Sequence, residues 1–144
     1  MYARKLITIL LVAFCALSFV LAAPPPPPAT DILVVTSPPA NAVYKVGEEI
    51  TVKVKLPGGK KNILYKANTP IKLTIQKLIP MPNLNKKVGT VHARTLATTG
   101  FKFIAKKEYI IDTQVNMPWR VRASFDHKDR SGYSDSRGFK LVKA

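Results

Sequence analysis

His127 lies in the run Asp126-His127-Lys128-Asp129-Arg130-Ser131-Gly132, where an imidazole, carboxylates and a hydroxyl crowd together. Such a set could serve a Ser-His-Asp nucleophile, or, with Asp135, an oxygen-rich cation site. Both readings meet a physical objection. Asp, Ser and Gly dominate the run, which is the composition of a strand-connecting turn. Lys128, Arg130 and Arg137 would stand beside a bound cation and repel it, so surface pairing of these acids with these bases is the more economical arrangement, each pair worth about 0–1 kcal/mol. The second histidine, His92, stands between Val91 and Ala93 in a strand-like stretch. There is no Gly-x-Ser-x-Gly elbow and no His-Glu-x-x-His helix. The single cysteine, Cys15, excludes an intramolecular disulfide framework and any multi-cysteine zinc site. The expectation is a non-catalytic protein with no metal and no cofactor.

Charge is the stronger signal. The 144 residues carry 23 Lys plus Arg against 8 Asp plus Glu, a formal charge of +15. A field of that size either keeps the protein soluble by self-repulsion or attracts a polyanion. Alternation places Lys72 outward on one strand, Arg120 and Arg122 outward on a second, and Lys140 on the last. In a sandwich of fibronectin type these strands share a sheet, so Lys72, Arg120, Arg122 and Lys140 are the candidate ligand-binding patch. Lys53 and Lys55 mark the opposite sheet. Trp119 and Phe125 alternate onto the same face as Val121 and read as core, so the exposed aromatic stack that nucleic-acid binders use is not favoured. No amphipathic helix suggests membrane attachment.

The elements that must position these residues are strands. From Asp31 onward the hydropathy has period two and is broken every ten or so residues by Pro, Gly or Asn clusters. Ile50, Val52, Val54 and Leu56 alternate with Thr51, Lys53 and Lys55, between Gly47 and Pro57-Gly58-Gly59. Ile71, Leu73 and Ile75 alternate with Lys72, Thr74 and Gln76, and Trp119, Val121, Ala123 and Phe125 with Arg120, Arg122, Ser124 and Asp126. Residues 32–36, 88–96 and 101–105 are also strand-like, and Phe139 and Leu141 flank Lys140 in a last short strand. No segment has sustained helical periodicity. About seven strands predict an all-β, antiparallel two-sheet sandwich of immunoglobulin or fibronectin type III kind over residues 31–144, with a small barrel as the alternative. Ile50, Val52, Val54, Leu73, Trp119, Val121 and Phe139 are the expected core.

Ahead of that domain, Arg4 and Lys5 precede an apolar run over residues 6–21, followed by Ala22-Ala23. This is the layout of a signal peptide. The run falls short of the roughly 20 residues a membrane-crossing helix needs. Cleavage after Ala22 is expected, giving a signal peptide over 1–22, removing Cys15 and leaving a secreted domain that rests on its hydrophobic core alone. Residues 23–30 hold a five-proline run that reads as a stiff polyproline spacer.

Two segments go further. Val34-Val35-Thr36-Ser37-Pro38 followed by Tyr44-Lys45-Val46-Gly47-Glu48-Glu49-Ile50-Thr51-Val52 resembles the start of the immunoglobulin-like domain in fungal Ser/Thr-rich, GPI-anchored cell-surface proteins and the related yeast cell-wall β-1,6-glucan synthesis proteins. Trp119-Arg120-Val121-Arg122-Ala123 with the run from Ser131 to Leu141 is similar to that domain's last two strands. The resemblance covers the two ends of the domain and implies a non-catalytic module acting at a cell wall or extracellular matrix. It transfers no catalytic residue. The expected partner is an anionic or neutral wall polysaccharide; the alternative is a small secreted effector recognising a protein.

Overall fold

The computed structural model describes residues 32–77, 84–110 and 118–144. The expected signal peptide and proline spacer lie outside them. The described residues form nine strands: β1 (Val34–Ser37), β2 (Val43–Lys45), β3 (Glu49–Lys55), β4 (Pro70–Lys77), β5 (Leu84–His92), β6 (Phe101–Ile104), β7 (Trp119–His127), β8 (Arg130–Asp135) and β9 (Lys140–Val142). Strands β1-β3-β6 make a three-stranded sheet and β5-β4-β7-β8 a four-stranded one; all pairings within both are antiparallel. The parallel pair β2-β9 stands beside them. The Trp119↔Phe139 bridge ties the chain leading into β9 to the start of β7. This is an all-β, two-sheet sandwich of immunoglobulin-like kind and not a barrel.

Period-two alternation explains why these segments became strands. Along β3 Ile50, Val52 and Val54 are buried while Lys53 and Lys55 are exposed; along β7 Trp119, Val121, Ala123 and Phe125 are buried. These side chains meet Ile71, Leu73 and Ile75 of β4, with Leu33, Val35 and Phe139, in one core between the sheets. All seven residues expected in the core are in it. A fully buried Leu or Val contributes roughly 1.5–3 kcal/mol, so this layer is the main source of stability in a cysteine-free domain. At Gly89 on β5 a Cβ atom would stand 2.5 Å from Cζ of Phe101, so a larger residue there would have to push the ring of Phe101 on β6 aside.

The structure differs from the sequence expectation in three places. Residues 88–96 are not one strand: β5 ends at His92, and the chain turns into helix α2 (Ala93–Thr98), which buries Ala93 and Leu96. A second short helix, α1 (Ile63–Ala67), buries Leu64 and begins at Asn62. The Asn62 side-chain oxygen accepts from the Leu64 N–H at 2.9 Å, while its amide donates to the carbonyls of Ile32 and Pro57. That is an N-cap whose remaining hydrogen bonds also pin the entry to β1. Finally, most of the run Asp126–Gly132, expected as a turn, is strand: Asp126 and His127 end β7, and Arg130, Ser131 and Gly132 begin β8. Its chain reversal is shorter than expected, with only Lys128 and Asp129 between β7 and β8 and Lys128 at φ 52°.

Candidate functional site

The register of the four-stranded sheet sets its outer face out in rows, because directly paired residues on neighbouring strands share a face. One row reads Thr90, Lys72, Ser124, Tyr133 across β5, β4, β7 and β8. The next reads Lys87, Thr74, Arg122, Asp135, and a third Asn85, Gln76, Arg120. Beyond the first row, Pro70 pairs with His92, and Asp126 with Ser131. Apart from Pro70, every side chain in these rows is polar or charged. Four cations stand among them, Lys72, Lys87, Arg120 and Arg122, against the two carboxylates Asp126 and Asp135.

The cations are not equivalent. Arg122 holds Asp135 with both arms of its guanidinium, Nε to Oδ1 at 2.7 Å and Nη2 to Oδ2 at 2.9 Å. Arg120 reaches the same carboxylate at 3.1 Å and donates through Nε to the Gln76 side chain at 3.0 Å. Arg122 also lies 3.8 Å from the centroid of the Tyr133 ring. The side-chain hydrogen bond to Asp135 is the main reason the Arg122 guanidinium is held above its ordinary range, with burial opposing it. Bidentate, partly desolvated pairs of this kind are the strong ones. Lys72 and Lys87, by contrast, are exposed and form no ion pair among the described residues.

Three of the four patch candidates therefore share the face, in two different states: Lys72 is a free ammonium, while Arg120 and Arg122 are engaged with Asp135. The fourth is elsewhere. Lys140 is exposed on β9, paired with Val43 of β2, and is not part of the four-stranded sheet. The last strand of the chain crosses to a parallel partner, a long-range choice that alternation within the segment does not encode. Lys87 and the hydroxyl and amide members of the rows were not singled out by the sequence. Their signal was register, since Lys87 faces Thr74 only because β5 is shifted by an irregularity at Leu73/Thr74.

Beside Lys72 the face carries an open hollow of about 310 Å³ lined by Pro70, Lys72, Thr90, Ser124, Phe125 and Asp126. The acidic and imidazole groups weighed for cation binding do not meet there. Asp135 is tied to the arginines at the far end of β8, and the Nδ1 of His127 lies 3.2 Å from the Thr69 hydroxyl. Among the described residues no three His, Cys, Asp or Glu side chains converge.

A second set of free cations lies on the other sheet and beyond its end. Lys53 and Lys55 project from β3, and Lys60 and Lys61 follow in the exposed 3-10 turn over Gly59–Lys61. Lys102 of β6 is paired with Glu49 at 2.9 Å.

Among the described residues one lysine is inside. Lys77, at the end of β4, is 2% exposed and lies 4.9 Å from the Trp119 ring centroid. Burial pushes its ammonium below the usual lysine range. Among the described residues no carboxylate pairs with it.

No protein-family model matches the chain, and no curated protein matches it.

Proposed function

We propose that this protein is a secreted, non-catalytic binding module that holds an anionic polymer, such as an acidic polysaccharide of a cell wall or extracellular matrix, on the outer face of its four-stranded sheet. The observation that carries the reading is the composition of that face: ordered rows of hydroxyl, amide and cationic groups, with Lys72 and Lys87 free to pair with anions. A polar sheet face suits an extended polymer, since successive units can reach Lys72 in one row and Lys87 in the next, while Thr74 and Gln76 between the arginines are buried. The field of the remaining lysines would raise the local concentration of any polyanion. Secretion rests on the leader over residues 1–22, and the wall location on the resemblance of the two ends of the domain to fungal cell-surface immunoglobulin-like domains.

Retention on anionic and neutral wall fractions across a salt series tests it. Raising salt from 0.1 to 1 M shortens the Debye length from about 10 Å to about 3 Å, so charge-driven retention collapses over that range. Exchanging Lys72 and Lys87 together for glutamine weakens retention on the anionic fraction. Salt-resistant binding to one purified protein, or no retention on any anionic fraction, refutes the proposal.

A further inference from the structure

The hollow beside Lys72 has a composition that a simple anion site would not have. Lys72 lies between the two hydroxyl residues Thr90 and Ser124, its direct partners on β5 and β7. Asp126 and Pro70 complete one end of the lining. The charges of Lys72 and Asp126 cancel, so the hollow presents one cation, one hydrogen-bond acceptor of full charge and two hydroxyls, that of Ser124 donating to the Lys72 carbonyl at 3.4 Å, next to the pyrrolidine ring of Pro70 and to Phe125. The guanidinium forks that grip multiply charged oxyanions in a bidentate way are held by Asp135 in the neighbouring rows.

We propose that this hollow receives a single hexuronic acid unit of a polyuronate chain. The inference rests on the binding-module reading above and narrows its ligand. A uronic acid unit carries one carboxylate, which the Lys72 ammonium pairs with. Its ring hydroxyls are donors, which the Asp126 carboxylate accepts, and they exchange hydrogen bonds with the Thr90 and Ser124 side chains. The apolar C–H face of the sugar ring lies on Pro70. The volume of about 310 Å³ is at the small end of ligand sites, suited to one ring and not to a disaccharide held on all sides. A densely sulfated polymer fits poorly, because it offers few free hydroxyl donors and brings sulfate against Asp126, where like charges repel.

Asp126 gives the test its sign. The binding of polygalacturonate, of its carboxyl-reduced neutral counterpart and of dextran sulfate would be measured on the protein and on Lys72→Gln, Asp126→Asn and Ser124→Ala variants, with Lys53→Gln on the opposite sheet as the control. Lys72 and Asp126 are exposed, and an unchanged melting temperature confirms that the variants fold. The expected result is that polygalacturonate binds at least tenfold more tightly than its carboxyl-reduced form and that Lys72→Gln removes this preference. Asp126→Asn weakens polygalacturonate at least threefold while strengthening dextran sulfate; Lys53→Gln changes both polyanions equally and slightly. If Asp126→Asn strengthens both polyanions in proportion, binding is by charge alone; the uronate inference falls and the binding-module reading stands. If a free amino acid displaces polygalacturonate, the Lys72–Asp126 pair recognises a zwitterion and the inference falls. If none of the polyanions binds, the wider reading falls with it.

Discussion

Replacing Asp135 by asparagine removes the one charge that holds Arg120 and Arg122 in place. Three charge-assisted contacts converge on that carboxylate, at 2.7, 2.9 and 3.1 Å. The arginine side chains are each 26% exposed and the carboxylate 20%. Hydrogen bonds to charged groups contribute about 1.5–3 kcal/mol each, and breaking a fully buried pair costs roughly 3–5 kcal/mol. Here the released guanidinium groups can turn toward water, and asparagine keeps one acceptor, so the loss should fall lower, at about 1–2 kcal/mol. A domain over residues 31–144 falls between the small and large size classes, so each kcal/mol lowers the melting temperature by roughly 4 °C. The expected fall is then about 4–8 °C. Asp135→Ala, which leaves no acceptor, should fall further.

The same substitution acts oppositely on binding. Two arginines released from an internal partner become available to an external anion, and exposed ion pairs contribute about 0.2–1 kcal/mol each. Together that is between roughly two- and thirtyfold in affinity for a polyanion at low salt, with a steeper salt dependence than the parent protein has. Melting by circular dichroism and a salt titration of polygalacturonate binding on the same samples read both effects. A variant that melts lower and binds tighter supports a face whose arginines are restrained by Asp135. An unchanged melting temperature refutes the structural part of the argument. Weaker binding by a folded variant refutes the other part, because it means that the arginines act on the ligand only as Asp135 orients them.

Other substitutions test other links. Lys77→Met should stabilise the protein near neutral pH by about 1 kcal/mol, since methionine fills the space of the aliphatic stem without a buried charge, and losing the contact with Trp119 offsets only part of the gain. Because burial lowers the Lys77 pKa in the folded state, the unfolded chain binds more protons as pH approaches the ordinary lysine range. The parent protein should therefore gain stability relative to the variant as pH rises above neutrality, and urea melts at pH 7 and pH 10 check whether the gap narrows. Gly100→Ala should destabilise by about 2–3 kcal/mol, because Gly100 has φ +80° and the added Cβ would stand 2.7 Å from the Val52 carbonyl oxygen; a melting temperature within a degree or two of the parent's would contradict the contact. Asn62→Ala should cost about 1–2 kcal/mol through the lost N-cap and the two carbonyl partners left behind, again read by chemical denaturation.

The long strands were legible because their apolar residues alternate: in β3 and β7 this follows burial on one side, and in β4 Ile71, Leu73 and Ile75 alternate although Thr74, Gln76 and Lys77 are buried too. Strand β8 lacked that signal for a specific reason. Its sequence, Arg-Ser-Gly-Tyr-Ser-Asp, alternates no hydrophobic residues, and it pairs only at a sheet edge, where Asp135 meets arginines and the Ser134 hydroxyl accepts the Val35 N–H at 3.1 Å. Helix α2 was hidden by length: six residues hold fewer than two turns, too few for a 3.6 period to separate from a strand-like apolar pair such as Ala93 and Leu96. The outward direction of Lys72, Arg120 and Arg122 followed from their own strands. Their states did not. Whether a cation is free or engaged depends on which residue stands opposite it, and Asp135 meets Arg122 only through the register of the β7–β8 hairpin. The β4–β5 and β4–β7 registers likewise set Lys72 between Thr90 and Ser124. A count of basic residues therefore overstates the free charge of this face and says nothing about its hydroxyl rows, and it is the rows that would decide which polyanion the face prefers.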